Sequence, residues 1–217
     1  LNLKSLIQTT LNDKYSFKVC RIEPENNIEM VIKAFIKLDD RLVLVGNWMN
    51  SEYGKVLYAK YRSHENIHLL HPIYEAKEID FLRSKAKVYI HGHEAGGTNP
   101  SLVEAMCLGL PVLAYDVSFN HQTTRSMANY FQDSDDLVQF IRCLSAPHLY
   151  LNSQAMFAIA KKEYTWSIIA DQYQKLIHEV LAGSSKKKVI QKIDRLDRMK
   201  LRTDDFEKMI REYRLKF

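Results

Sequence analysis

One stretch of sixteen residues, His91-Gly-His-Glu-Ala-Gly-Gly-Thr-Asn-Pro-Ser-Leu-Val-Glu-Ala-Met106, concentrates residue types that hold anions. Gly96 and Gly97 allow backbone angles closed to other residues and let a ligand approach the main chain. Asn99 suits an N-cap, and Pro100 suits the first helical position, where its missing N–H costs nothing. The amides of Ser101 and Leu102 are then expected to face the loop, and with the helix dipole they would seat a phosphate. Glu104 lies one turn further on and leans toward the same place. A carboxylate repels phosphate, so its expected partner is a pair of hydroxyls such as those of a ribose. The plainer alternative is a glycine-rich turn, a capped helix and a solvent-facing Glu.

A second anion-binding group is Arg21, in Cys20-Arg-Ile-Glu-Pro-Glu-Asn-Asn27. An Arg just past a buried strand end can hold a diphosphate through its planar fork, or it can be a surface residue of a turn. Asn26 or Asn27 is expected to cap the following helix. His71-Pro72-Ile73 follows a short apolar run, where an exposed backbone edge could read a nucleobase or simply turn. His91, His93 and Glu94 alternate at a strand end, but they lack zinc-site spacing and no metal is expected. The chain has no G-x-S-x-G elbow, no Walker loop and no G-x-G-x-x-G after its first strand.

These residues must be positioned by elements that alternate between strand and helix. Ser16–Cys20, Leu42–Val45, Ile67–Leu70, Lys87–Ile90, Pro111–Ala114 and a segment ending at Tyr130-Phe131 read as strands. Leu42-Val-Leu-Val45 is apolar throughout, as in a strand buried on both faces. Helices are expected from Pro24 through Ile36, around Val56–Tyr61, over Glu75–Arg83 and Pro100–Leu108, from Asp133 or Ser134, and over Leu149–Lys161 and Thr165–Leu181. Strand–helix alternation with short connections implies an α/β, Rossmann-like, doubly wound parallel sheet. Ligands of such sheets sit at the carboxyl ends of the strands, where both anion-binding groups fall.

The 217 residues, 46% hydrophobic and 11% aromatic, support a sizeable core and exclude a disordered chain. No apolar run approaches a membrane span, and the start lacks a signal-peptide pattern. Cys20, Cys107 and Cys143 each sit in an apolar run, and core thiols in a reducing cytoplasm are expected. The net charge of +5 belongs to the end of the chain, since Ser184–Phe217 holds twelve Lys/Arg and six Asp/Glu. Ala182-Gly-Ser-Ser185 reads as a linker. Beyond it Val189, Ile190, Ile193, Leu196 and Met199 form a narrow stripe on a basic helix. The expected division is 1–14 as a leader or interdomain remnant, 15–182 as the ligand-binding domain and 183–217 as the basic helical tail. The tail either packs on protein, including another copy, or lies on an anionic membrane surface. Its basic residues are not interleaved with stacking aromatics, which argues against nucleic acid.

Taken in order, Arg21-Ile-Glu-Pro-Glu-Asn-Asn-Ile28, Leu42-Val-Leu-Val-Gly-Asn47 and Gly96-Gly-Thr-Asn-Pro-Ser-Leu-Val-Glu-Ala-Met-Cys-Leu-Gly-Leu-Pro-Val112 resemble the donor-binding half of family-4 retaining glycosyltransferases. The likeness spans about residues 15–182 and is nearest a bacterial branch that builds capsule or O-antigen chains and includes rhamnosyl- and galactosyltransferases. It implies half of a GT-B fold with a C-terminal helical extension, and transfer of a hexosyl or deoxyhexosyl group. The donor would be a nucleotide-diphosphate sugar, with no cofactor or metal. The acceptor would be a saccharide or lipid-linked, in the cytoplasm or at the inner membrane face. Arg21 would neutralise the leaving diphosphate and Glu104 would bind the ribose. Gly96, Gly97, Thr98, Asn99, Ser101 and Leu102 would line the phosphate and sugar pocket, and His71–Ile73 would face the base. Two positions depart from the family pattern. Gly96 stands where a sugar-holding Glu is usual, so that either Glu94 substitutes or main chain alone holds the sugar, and Asn26 stands where a Lys usually accompanies the Arg. The resemblance also implies that the acceptor is read by an N-terminal half, so the chain is expected to be a C-terminal piece or to obtain that half from a partner chain. A non-catalytic donor-binding or regulatory subunit and a sugar-nucleotide epimerase are the alternatives.

Overall fold

The computed structural model describes residues 15–182, and both the expected leader 1–14 and the tail 183–217 lie outside them. Six parallel strands form one sheet: β1 (Ser16–Val19), β2 (Leu42–Val45), β3 (Ile67–Leu70), β4 (Val88–His91), β5 (Val112–Tyr115) and β6 (Asn129–Phe131). Their order is β3-β2-β1-β4-β5-β6. β1 is central, with Ser16 opposite Leu42 on one side and Val88 on the other. The connections from β1 run outward to β2 and β3, and then the chain crosses back to β4 and proceeds the other way. Right-handed crossovers in opposite directions put helices on opposite faces. The crevice between the carboxyl ends of β1 and β4 is therefore the topological switch point, where such sheets take ligands.

The helices are α1 (Ile28–Ile36), α2 (Glu52–Tyr61), α3 (Ala76–Lys85), α4 (Pro100–Cys107), α5 (Ser118–Thr124), α6 (Ser134–Cys143), α7 (Ala146–Glu163) and α8 (Trp166–Leu181). α1 buries Ile28, Val31, Ile32, Ala34 and Phe35 on one face, the periodicity that makes it a helix. It packs beside α6, and α4 packs beside α7. All four residues of β2 are buried, as a strand covered on both faces requires. Trp48, fully buried just after β2, donates its indole N–H to the Leu70 carbonyl at 2.8 Å and closes the end of β3. The described chain falls into two compact units that divide between Tyr164 and Thr165, so α8 belongs to the second.

Several expectations change. Pro24–Asn26 is a 3₁₀ turn, and α1 begins only at Ile28 because Asn27 takes a left-handed conformation with φ 50°. α7 starts at Ala146, capped by the Ser145 hydroxyl, where sequence periodicity suggests Leu149. α5 has no counterpart in the sequence reading, since Ser118-Phe-Asn-His-Gln-Thr-Thr124 carries no apolar stripe. The cysteines are free, but only Cys20 is partly buried. Cys107 and Cys143 are the last residues of α4 and α6, where the helices meet solvent.

Candidate functional site

Two loops converge on the switch point, residues 20–27 after β1 and 92–99 after β4. Buried amides hold them together. Asn26 Nδ2 donates to the Arg21 carbonyl at 3.0 Å, and Asn26 Oδ1 lies 3.0 Å from His93 Nδ1. Since Asn26 Oδ1 is an acceptor, His93 Nδ1 carries the proton of the neutral ring, and Nε2 faces Gly96. Asn27 Nδ2 donates to the Gly92 carbonyl at 3.0 Å and to Glu94 Oε2 at 2.8 Å. The Glu94 amide donates to the Glu25 carbonyl at 2.9 Å. Neither asparagine caps α1 with its side chain. Both join the two loops, which places Asn26 beneath the crevice and leaves Glu94 exposed beside it.

Arg21 is exposed at the end of β1, and among the described residues its guanidinium makes no hydrogen bond or ion pair. Burial, with Lys18 and Arg21 close by, holds His93 below the ordinary histidine range. His91 is driven well below it by burial and by Lys18, and its Nε2 has no hydrogen-bond partner. Both rings are therefore neutral at pH 7. From the other side, Asn120 of α5 donates to the carbonyls of His93 and Tyr115 at 3.0 and 2.9 Å and fixes the end of β4.

The glycine loop has the expected freedom. Gly96 has φ 114°, a conformation L-residues avoid, and Gly97 has open space where a side chain would stand. Asn99 is the N-cap of α4, with Oδ1 accepting from the Ser101 amide at 3.0 Å and from the Ser101 hydroxyl at 2.8 Å. This corrects one expectation. The Ser101 amide is taken by the cap, and the Leu102 amide donates to the Asn99 carbonyl at 3.1 Å, so neither is free for a phosphate. The open main chain of the loop is at Gly96, Gly97 and Thr98, all exposed. The Leu102 side chain is fully buried.

Glu104 is also committed. Arg83 of α3, with its side chain 6% exposed, donates to Glu104 Oε2 and to Asp80 Oδ1. Glu104 itself is half exposed, so its carboxylate also meets solvent. His71, Pro72 and Ile73 follow β3, two strands away from β1 at the same sheet edge. They line a cleft of about 720 Å³ with Tyr58, His68 and Tyr74. The Tyr58 and His71 rings lie 5.5 Å apart. The structure thus gathers Arg21, Asn26, Glu94 and the glycine loop at one crevice, with the His71–Ile73 cleft two strands away at the same sheet edge. Sequence reasoning missed Arg83, Asn27, His93 and Asn120 as the groups that set this geometry. The alternating His91 and His93 were a visible signal, considered only as metal ligands.

The model of the glycosyl transferases group 1 family matches residues 6–136, more than half of the chain and the whole of this site. The chain belongs to the glycosyl transferases group 1 family. No curated protein matches it. Among solved structures, this group 1 domain is similar to sucrose-phosphate synthase from Thermosynechococcus elongatus, with TM-score 0.68 and 22% identity over 85% of this chain and 52% of that one. It is similar to HepE of Anabaena in complex with UDP-glucose, with TM-score 0.66 and 17% identity over 83% of this chain and 52% of that one. It is similar too to AviGT4, a glycosyltransferase of avilamycin A biosynthesis, with TM-score 0.61 and 18% identity over 79% and 52%. At these identities the likeness is one of fold. The chain spans about half the length of each, and the α/β sheet of this group 1 domain is one Rossmann-like half of a GT-B architecture.

Proposed function

We propose that the chain is the donor-binding half of a retaining glycosyltransferase of family 4, with residues 15–182 as the nucleotide-sugar domain. The observation that carries this reading is an exposed Arg21, without a hydrogen bond or ion pair among the described residues, on the β1 loop that Asn26 and Asn27 join to a glycine loop open at Gly96 and Gly97. That pairing of a forked cation with bare main chain suits a diphosphate. Glu104, aimed by Arg83, would take the ribose hydroxyls, and the cleft at His71–Ile73 would take the base. Ser101 and Leu102 act by building the cap rather than by touching phosphate. Glu94 stands where a sugar hydroxyl could reach it. The similar HepE structure holds UDP-glucose, which supports a nucleotide-sugar donor here.

The fuller reaction transfers a hexosyl or deoxyhexosyl group to a saccharide or lipid-linked acceptor in bacterial surface polysaccharide synthesis. A second half, from the same or another chain, binds the acceptor. Catalysis rests on positioning and on stabilising the leaving diphosphate, without a metal. No helix among the described residues is long and apolar enough to cross a membrane. The tail 183–217 would provide self-association or contact with the inner membrane face.

Thermal shift of the 217-residue chain against UDP, dTDP and GDP tests the reading. A nucleotide at a hundred times its dissociation constant adds about 2.7 kcal/mol, a plain rise in Tm. One nucleotide should stabilise the wild type and not Arg21→Ala. No shift with any of the three removes the donor-binding role for this chain, and turnover without an acceptor would favour an epimerase.

A further inference from the structure

Lys18 lies in the middle of β1, one of the most buried side chains of the protein at 1% exposure. An ammonium offers three donors, yet among the described residues Lys18 makes no hydrogen bond or ion pair. Burying a charge without a partner is among the least favourable arrangements in a protein. Burial lowers the pKa of Lys18, an effect that its neighbour Cys20 offsets only in part. Cys20 has its thiol pushed up by burial, and His91 and His93 are neutral and held so in part by Lys18 itself.

The position of the ammonium is specific. Lys18 Nζ stands 3.0 Å from where a Cβ on Gly92 would be, and the Asn26 carbonyl oxygen stands 2.6 Å from the same point. Only a glycine fits between them. The buried lysine therefore ends at the junction of the loops after β1 and β4, against Gly92 and the Asn26 backbone.

We propose that Lys18 supplies the second cation of the site, a buried counter-charge for the diphosphate of the ligand, reaching the crevice from below through the gap left by Gly92. The inference rests on the donor-binding reading and deepens it.

The test uses the 217-residue chain with inorganic pyrophosphate, UDP, dTDP, GDP and their parent nucleosides, in wild type, Arg21→Ala, Lys18→Met and Lys18→Gln. Melting without ligand comes first. Removing an unpaired buried charge should leave Tm unchanged or higher. Calorimetry should then show pyrophosphate and the preferred nucleoside diphosphate binding at least about tenfold more weakly to both Lys18 variants, as for loss of one charge-assisted hydrogen bond. Binding of the parent nucleoside should not change. If neither Lys18 variant folds, the Cε–Nζ NMR signals of wild-type Lys18 must move when pyrophosphate is added, and unmoved signals overturn the proposal. Full affinity in the Lys18 variants, with affinity lost in Arg21→Ala, overturns the role of Lys18 alone. A wild type that binds none of these phosphates overturns the donor-binding reading and this inference with it.

Discussion

Replacing Asn26 with Ala should destabilise the fold by about 2–4 kcal/mol, because the residue is the buried joint between the two site loops. The figure follows from what each end of the amide leaves behind. The Arg21 carbonyl loses Asn26 Nδ2 but keeps the Glu23 amide at 3.1 Å, so that end costs about 1 kcal/mol. The His93 Nδ1–H loses its acceptor while its residue stays 8% exposed, and an unsatisfied buried donor costs about 1–3 kcal/mol. For a domain of this size the sum lowers Tm by roughly 5–15 °C. Asn26→Asp separates the two ends. It restores an acceptor for His93, removes the donor to Arg21, and its charge raises the folded pKa of His93. A histidine raised in the folded state contributes stability that is complete below its unfolded pKa and is lost as pH rises through the folded value. The Asp variant should therefore exceed the Ala variant in stability, by a margin that widens as pH falls through about 6. Urea denaturation of the three proteins at pH 5, 6 and 7.5 reads this directly. An Ala variant within about 1 kcal/mol of wild type, or Asp and Ala variants that run parallel with pH, would mean that Asn26 is not the joint between the loops.

Three further outcomes are expected. Glu29 accepts from Lys60 Nζ at 2.9 Å and Tyr61 OH at 2.8 Å, and those bonds pull its carboxyl down to about 2. A depressed carboxyl stabilises the fold above its unfolded pKa and ceases to as pH falls toward 2, so wild type should lead Glu29→Gln at pH 7, by about 1 kcal/mol after solvent screening, and the lead should shrink between pH 4.5 and 2. Asn99→Ala removes the cap of α4 and should cost about 1 kcal/mol in chemical denaturation. Arg83→Met frees Glu104 from its tether, and should reduce the preference for the stabilising nucleoside diphosphate over its 2′,3′-dideoxy analogue in calorimetry while leaving pyrophosphate binding unchanged.

The sheet was legible in the residues because each strand is a short apolar run between turn signals, and β2 shows its two-sided burial outright. The glycine loop, the Asn99 cap and the isolated Arg21 were legible for the same local reason, since caps and turns act within a few residues. What lay beyond reach was the side-chain bonding between loops 65 residues or more apart. Asn27 reads as a helix cap, yet it bonds to Gly92 and Glu94 because φ 50° turns it away from α1. Arg83 reads as one more charge at the end of a polar helix, but its side chain turns inward to Glu104. Lys18 is the sharpest case. In Ser16-Phe-Lys-Val19 alternation suggests one face toward solvent, whereas a central strand in a doubly covered sheet has no such face.

The central claim is that the crevice between β1 and β4 holds a nucleoside diphosphate, and amide chemical-shift mapping tests it most directly. The ¹⁵N-labelled chain would be titrated with whichever of UDP, dTDP or GDP stabilises it most. The largest perturbations should fall at Arg21, Gly92 and Gly96–Ser101, with a second group around His71–Tyr74. Perturbations confined to other surfaces, or none at saturating nucleotide, would contradict the claim.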